Sequence, residues 1–301
     1  MATVESQALV RPTEPLAVRA KRGGLHFLLL APALAWALLL VALPLLYLVT
    51  TSLWRNSLGD VVHDWNIDNY RDAFTSAVVK TALWRTVVIS IGAASLATFV
   101  AYPLAYIVSR KIGRYKLAVA LLVLVPLWVS YLMRVFAWRI ILGERGVLNG
   151  LLMTLGVIDQ PSTAFLYSTP TVILTLCYVA IPYVFLSSFV SLERIPNSLV
   201  EASGDCGASS TRTFWNVIWP LSRPGAVVGF AIGFVLCFGD YVTPAMVGGL
   251  RGTMVGSLVL QQFGYANDWP FGAAIAITIL MTALVFLAVV SVFTKSEARF
   301  E

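Results

Sequence analysis

The sequence is poor in charge. Of 301 residues, 12% are Asp, Glu, Lys or Arg, against about 25% in a soluble domain. Hydrophobic residues make up 58% and mean hydropathy is +0.82. That balance excludes a water-soluble globular fold, and so apolar a chain cannot stay solvated as a disordered one. Histidine is nearly absent, with only His26 and His63. No His-Glu-x-x-His pair exists to hold a catalytic metal. Cysteine is scarce as well. Cys177 and Cys237 lie inside apolar runs and Cys206 lies in a loop, with no paired spacing for a disulfide or a zinc site. Small buried side chains are the plainer reading. No Gly-x-x-x-x-Gly-Lys-Ser/Thr occurs, so nothing here cradles a nucleotide phosphate. The net charge of +6 is not gathered into a basic patch interleaved with aromatics, which speaks against nucleic acid as a partner.

Long apolar runs are abundant. A hydrocarbon core about 30 Å thick needs about 20 apolar residues per helical crossing, which leaves room for roughly six. The runs cover about 25–53, 83–109, 117–142, 165–190, 226–247 and 271–293. They predict an all-α membrane protein embedded in lipid. The first run is too long for the apolar stretch of a signal peptide and lacks a clear cleavage site, so it reads as a retained helix. Pro12, Pro15 and a polar composition make the residues before it an expected disordered tail. No short-period repeat, heptad run or low-complexity tract stands out.

Lys and Arg in the connections give the orientation. One side carries Arg11, Arg19, Lys21 and Arg22, then Arg110, Lys111, Arg114 and Lys116, then Arg194, Arg212 and Arg223, then Lys295 and Arg299. The other side carries Arg55, Arg71 and Lys80, then Arg145, then Arg251, and its first loop holds Asp60, Asp64, Asp68 and Asp72. The richer side is cytoplasmic by the positive-inside rule, so both termini are expected inside. The expected organisation is a cytoplasmic tail over 1–24, a six-helix domain over 25–294 containing a long cytoplasmic loop over 191–222, and a cytoplasmic tail over 295–301.

That loop is unusual. Ile195-Pro196-Asn197-Ser198 is a helix-start signal, with Asn197 or Ser198 as the cap. Two helical turns would follow to Cys206, with Gly207 as a left-handed stop. Ser209 or Ser210 would cap a second short helix, and Pro220 would end it before the fifth span. Two short helices on the membrane surface would form a rigid knob. An interfacial amphipathic linker is the plainer alternative.

Glu201-Ala202-Ser203, three residues, Gly207, nine residues, then Val217-Ile218-Trp219-Pro220 resembles the "EAA" loop of permease subunits of type I ABC importers. Ser203, Val217 and Trp219 depart from the family's Ala, Ile and Leu, while Glu201, Ala202, Gly207 and Pro220 keep its register. Trp128–Leu142, Phe238–Gly249, and Gln261-Gln262-Phe263 through Asp268–Gly272 are similar to segments of the spermidine/putrescine permease subfamily. The resemblance implies a non-catalytic, multi-pass subunit of the bacterial inner membrane. Its implied partners are a second permease, a cytoplasmic ATPase dimer that uses ATP and Mg, and an extracytoplasmic solute-binding protein. Glu201, Ala202, Ser203, Gly207 and Pro220 would form the surface coupled to the ATPase. No cofactor or metal is implied for the chain itself.

Charges inside apolar runs need a reason, because one at the bilayer centre costs about 2.5–3.5 kcal/mol on the insertion scale. Asp240, in Gly239-Asp240-Tyr241, lies about 21 Å past the start of the fifth span at about 1.5 Å per residue. It suits a solute path for an ammonium group, with Tyr241 and Trp138 as cation–π neighbours. Arg134, about 25 Å along the third span by the same rise, is the alternative partner of Asp240 in a structural ion pair. Both readings stay open, and a gate would reconcile them. Arg139 and Arg85 read as interface residues, and Trp54, Trp84 and Trp269 as belt anchors.

Two rival functions are weighed. An ion-coupled secondary transporter would also use an intramembrane Asp, but would not need the Glu-Ala-x-x-x-x-Gly spacing. An aspartyl intramembrane protease would need Gly where Cys237 stands and a second Asp in another span. An ABC permease for a different small solute remains the nearer alternative to polyamine transport.

Overall fold

The computed structural model describes residues 16–57 and 60–297. Its two compact units divide between Thr50 and Thr51. The first unit holds all but the end of helix α1 (Leu16–Ser52), whose apolar window is Ala35–Ser52. The helix starts well before residue 25, so the tail expected over 1–24 is helical from Leu16 onward, and residues 1–15 lie outside the described residues.

The second unit opens with an antiparallel hairpin of β1 (Arg55–Ser57) and β2 (Asp60–Val62), followed by the short helix α2 (Asp68–Thr75). Helix α3 (Ala77–Lys111) starts where the Ser76 hydroxyl accepts from the Val79 amide. It ends on Arg110 and Lys111, which complement the negative end of its dipole.

The third apolar run is not one helix. It forms α4 (Lys116–Leu124), a 3₁₀ turn over Val125–Trp128 and α5 (Tyr131–Leu142), which leads into α6 (Val147–Thr154). The two arms meet at 89°. Pro126 supplies no amide donor and its ring excludes a helical carbonyl, while Val129 is extended at ψ 135°. Hydropathy does not register this break, because the bent segment is as apolar as a straight one. The depth assigned to Arg134 from helical rise is therefore corrected: it sits in the first turn of α5, just past the bend.

Helix α7 (Thr169–Glu193) begins with a Ser168 cap and Pro170 in its first turn. Helix α8 (Asn197–Asp205) follows. Next, α9 (Ser210–Thr213), a π-helical turn over Phe214–Ile218 and α10 (Trp219–Phe238) run on as one span, Ser210–Phe238. The fifth span thus begins at Ser210, not near 226, and Pro220 does not stop a helix. The wide π turn just before it leaves room for the proline ring, and in the first turn of α10 the missing N–H costs little. The span ends at Phe238, and the chain breaks at Gly239-Asp240, where irregularity was expected. A second π turn over Pro244–Gly248, α11 (Val255–Phe263) and α12 (Trp269–Glu297) complete the chain. The expected tail over 295–301 is helical to Glu297, and the rest lies outside the described residues. Among the described residues, five helices are long and apolar enough to cross a membrane, or six if the bent pair counts as one span.

The core is built where α3, α7 and α10 pack together. Ala93, Ala97, Ala101 and Ala105 on α3 are wholly buried. Gly225, Gly229 and Gly233 on α10 face Ser191, Val184 and Ala180 of α7. Each series repeats every four residues and gives its helix a small-residue stripe; on α10 the stripe lets the backbone approach α7 closely. The Ser187 hydroxyl donates to the Gly225 carbonyl at 2.8 Å, and the Tyr102 and Ser222 hydroxyls meet at 2.5 Å.

Candidate functional site

Helix α8 carries Glu201, Ala202 and Ser203, and Glu201 and Ala202 are exposed. Its first residue is Asn197 and its N-cap is Pro196, so neither Asn197 nor Ser198 caps it. Gly207 has φ +79°, the left-handed conformation its place in the sequence called for. The chain then turns into α9, where Ser209 accepts from the Arg212 amide at 3.4 Å. Ser203 faces back across this corner, its hydroxyl 3.0 Å from that of the buried Thr213. The one polar departure from the Glu-Ala-Ala pattern thus ties α8 to the start of the fifth span. Pro220 lies apart from these residues along the chain, in the first turn of α10.

The second group gathers at two helix breaks. Asp240 is 9% exposed and lies just beyond the end of α10. Its Oδ1 accepts from the Val242 amide at 2.8 Å and the Thr243 amide at 3.3 Å. Its Oδ2 accepts from the Tyr131 hydroxyl, which also lies 2.8 Å from the Thr243 hydroxyl. Tyr131 is the first residue of α5, so the break in the third span meets the break in the fifth. Sequence reasoning missed Tyr131, although an aromatic hydroxyl at the start of an apolar helix is a signal that it needs a polar partner.

Of the two readings left open for Asp240, the structure shows no ion pair with Arg134: the carboxylate is held by the Tyr131 hydroxyl and the Val242 and Thr243 amides. Arg134 is 7% exposed, and its Nε and Nη1 are buried without a hydrogen-bond partner. Its guanidinium lies 5.7 Å from the Tyr131 ring centre, within cation–π range. Tyr131 therefore touches both charged groups. Tyr241 points outward at 47% exposure, and Trp138 packs edge-on against Tyr178 at 5.7 Å. Neither is shown against Asp240.

Residues 22–296 match the family described as the binding-protein-dependent transport system inner membrane component. The chain belongs to this family. It is thus a multi-pass ABC importer permease, a non-catalytic subunit whose ATPase is a separate polypeptide. The spermidine/putrescine transport system permease protein PotB of Escherichia coli (strain K12) is 30% identical over 259 residues, covering 84% of this permease and 92% of PotB. PotB of Haemophilus influenzae is 29% identical over 256 residues, covering 84% and 89%. The inner membrane ABC transporter permease protein YdcU of Escherichia coli (strain K12) is 30% identical over 243 residues, covering 76% of each chain. The fold is also that of a chain from a bacterial ABC transporter involved in the import of the acidic polysaccharide alginate. The TM-score is 0.73 at 16% identity, over 93% of this permease and 98% of that chain.

Proposed function

We propose that this permease passes a small cationic solute of the polyamine class, handed over by an external binding protein. It pairs with a second permease, and a cytoplasmic ATPase dimer drives the pair by docking on α8. Both termini then face the cytoplasm, as does the end of the molecule that carries Arg110, Lys111, Arg114, Lys116 and Arg194. The coupling role of Glu201, Ala202, Ser203 and Gly207 rests on one observation. An exposed two-turn helix is closed by a left-handed glycine at the family spacing and tied by Ser203 to the start of a span. Pro220 joins this group by the family spacing and sits within the continuous span Ser210–Phe238.

The substrate class rests on similarity to PotB and on Asp240, a carboxylate set where two spans break. Broken helices free backbone groups to line a path. In this conformation Asp240 has its oxygens engaged, so an incoming ammonium group would displace the Tyr131 hydroxyl from Oδ2. Arg134, Trp138 and Tyr241 complete the proposed path. A different solute is the second reading, favoured by the unpartnered Arg134, whose buried donors suit an acceptor and not a cation.

The test is uptake into vesicles holding the complete transporter with its binding protein. Labelled spermidine and putrescine should accumulate with ATP and compete with each other. Accumulation of an anionic solute with neither polyamine competing would overturn the polyamine reading and leave the permease reading intact.

A further inference from the structure

Helix α8 begins without the usual support. Its N-cap, Pro196, has no side-chain acceptor for the first turn, and α7 has ended at Glu193 with carbonyls left to satisfy. One residue far away in the chain supplies donors for the carbonyls and also holds the first residue of α8. Nη2 of Arg110, in the last turn of α3, donates to the Leu192 carbonyl at 2.7 Å and the Ile195 carbonyl at 2.8 Å. Nη1 donates to Asn197 Oδ1, on the first residue of α8, at 2.7 Å. Leu192 and Ile195 are buried, so their carbonyls sit at the edge of the core. The neighbouring residues add a second rung: the Ser109 hydroxyl donates to Glu193 Oε1 at 2.7 Å, and Lys116 pairs with the other oxygen.

The two rungs differ in weight. Lys116 and Glu193 side chains are 43% and 29% exposed, so water and salt weaken that pair. The Arg110 bonds are charge-assisted, roughly twice as strong as neutral ones, and go to fixed backbone acceptors. The planar fork of an arginine reaches separate acceptors at once; a lysine would act there as a point charge.

We infer that Arg110 is the positioning residue that makes α8 and the adjoining end of α3 one moving body, so that displacement of α8 is delivered to α3 as well as to α7. This deepens, and rests on, the proposed docking of α8 on the ATPase. Without the guanidinium, α8 is held by the Ile195-Pro196 corner of α7 and by the Ser203–Thr213 contact to the fifth span, and loses these bonds from α3. With it, the motion enters the helix whose alanine stripe packs into the core.

The native thiols allow a direct measurement. Cys206, at the end of α8, is exposed, while Cys177 and Cys237 are buried. A spin label on Cys206 and another on Val100→Cys, an exposed position on α3, report the α8–α3 distance in the complete transporter. The expected result is one narrow distance, unchanged between the nucleotide-free and ATP–vanadate states. Arg110→Ala should lose that invariance, and Arg110→Lys should lose it in part. ATP hydrolysis per labelled vesicle should persist while uptake of labelled spermidine per ATP falls. A narrow, invariant distance in Arg110→Ala would overturn the inference, as would a native distance that shifts with nucleotide as much as the variant's. Should Arg110→Ala not assemble, Arg110→Lys and Asn197→Ala are read by the same distance. Failure of the docking reading looks different: crosslinks from Cys206 to the ATPase would be missing in the native complex itself.

Discussion

Replacing Gly225 with alanine should destabilise the permease even though alanine is the better helix former. An alanine Cβ there would lie 2.2 Å from Ser191 Cβ, 2.7 Å from Ser191 Oγ and 3.0 Å from the Ser187 carbonyl. Ordinary carbon contacts are about 3.5–4.0 Å, and a Cβ cannot swing aside, so α10 must move off α7 by roughly 1 Å. Overpacking of this kind costs about 1–3 kcal/mol. Weakening the 2.8 Å bond from Ser187 to the Gly225 carbonyl adds about 0.5–1.5 kcal/mol. The gain from replacing a helical glycine is about 0.5–1 kcal/mol. The clash wins, for a net loss of about 1–3 kcal/mol. Gly229→Ala should lose less, at 3.1 Å from the Val184 carbonyl, and Gly233→Ala less again, since its nearest neighbour is the tip of the Val184 side chain. Gly150→Ala in α6, with open space around it, is the control and should be neutral or slightly stabilising. Cys177 on α7 and Cys237 on α10 are buried and become reactive only when these helices part. Thermal unfolding of the assembled transporter in a Cys206→Ser background, followed with a thiol-reactive dye, therefore reads this interface. A Gly225→Ala midpoint equal to or above that of Gly150→Ala would refute the packing argument.

Gly207→Val should impose strain of about 1 kcal/mol or more, since φ is +79° and no neighbour clashes; stimulated ATP hydrolysis should fall while the binding protein still captures solute. Tyr131→Phe should leave Asp240 Oδ2 without its donor, at about 1.5–3 kcal/mol for a bond to a charged group, seen as reduced assembled yield. Asp240→Asn keeps the shape and an acceptor for the Val242 and Thr243 amides, so its yield should hold while polyamine uptake drops; unchanged uptake would remove the charge from the mechanism. Adding Arg134→Gln to Asp240→Asn should not rescue anything, because no ion pair joins them; recovery of uptake or yield in the double variant would show coupling that the geometry lacks.

The sequence by itself determined what local signals carry. Apolar runs of sufficient length marked the candidate crossings, because insertion depends on composition along the chain. The spacing from Glu201 to Gly207 located α8 and its left-handed end, since a helix stop is decided by the conformational freedom of one residue. The alanine and glycine stripes on α3 and α10 were also legible, as small residues four apart, but a search for longer repeats passes over them. Other features were settled only when helices met. Pro126 could kink or be absorbed, and the tertiary fold made it an 89° break. Pro220 looked like a stop, and a π turn absorbed it. Arg110 read as one of many orienting cations, yet its acceptors lie 82 to 87 residues further along the chain. Asp240 had Arg134 as its apparent partner by charge, and the fold gave it the hydroxyl of Tyr131 instead. Polar groups in a membrane must find partners somewhere, but which partner each finds depends on which faces pack, and no spacing along the chain encodes that.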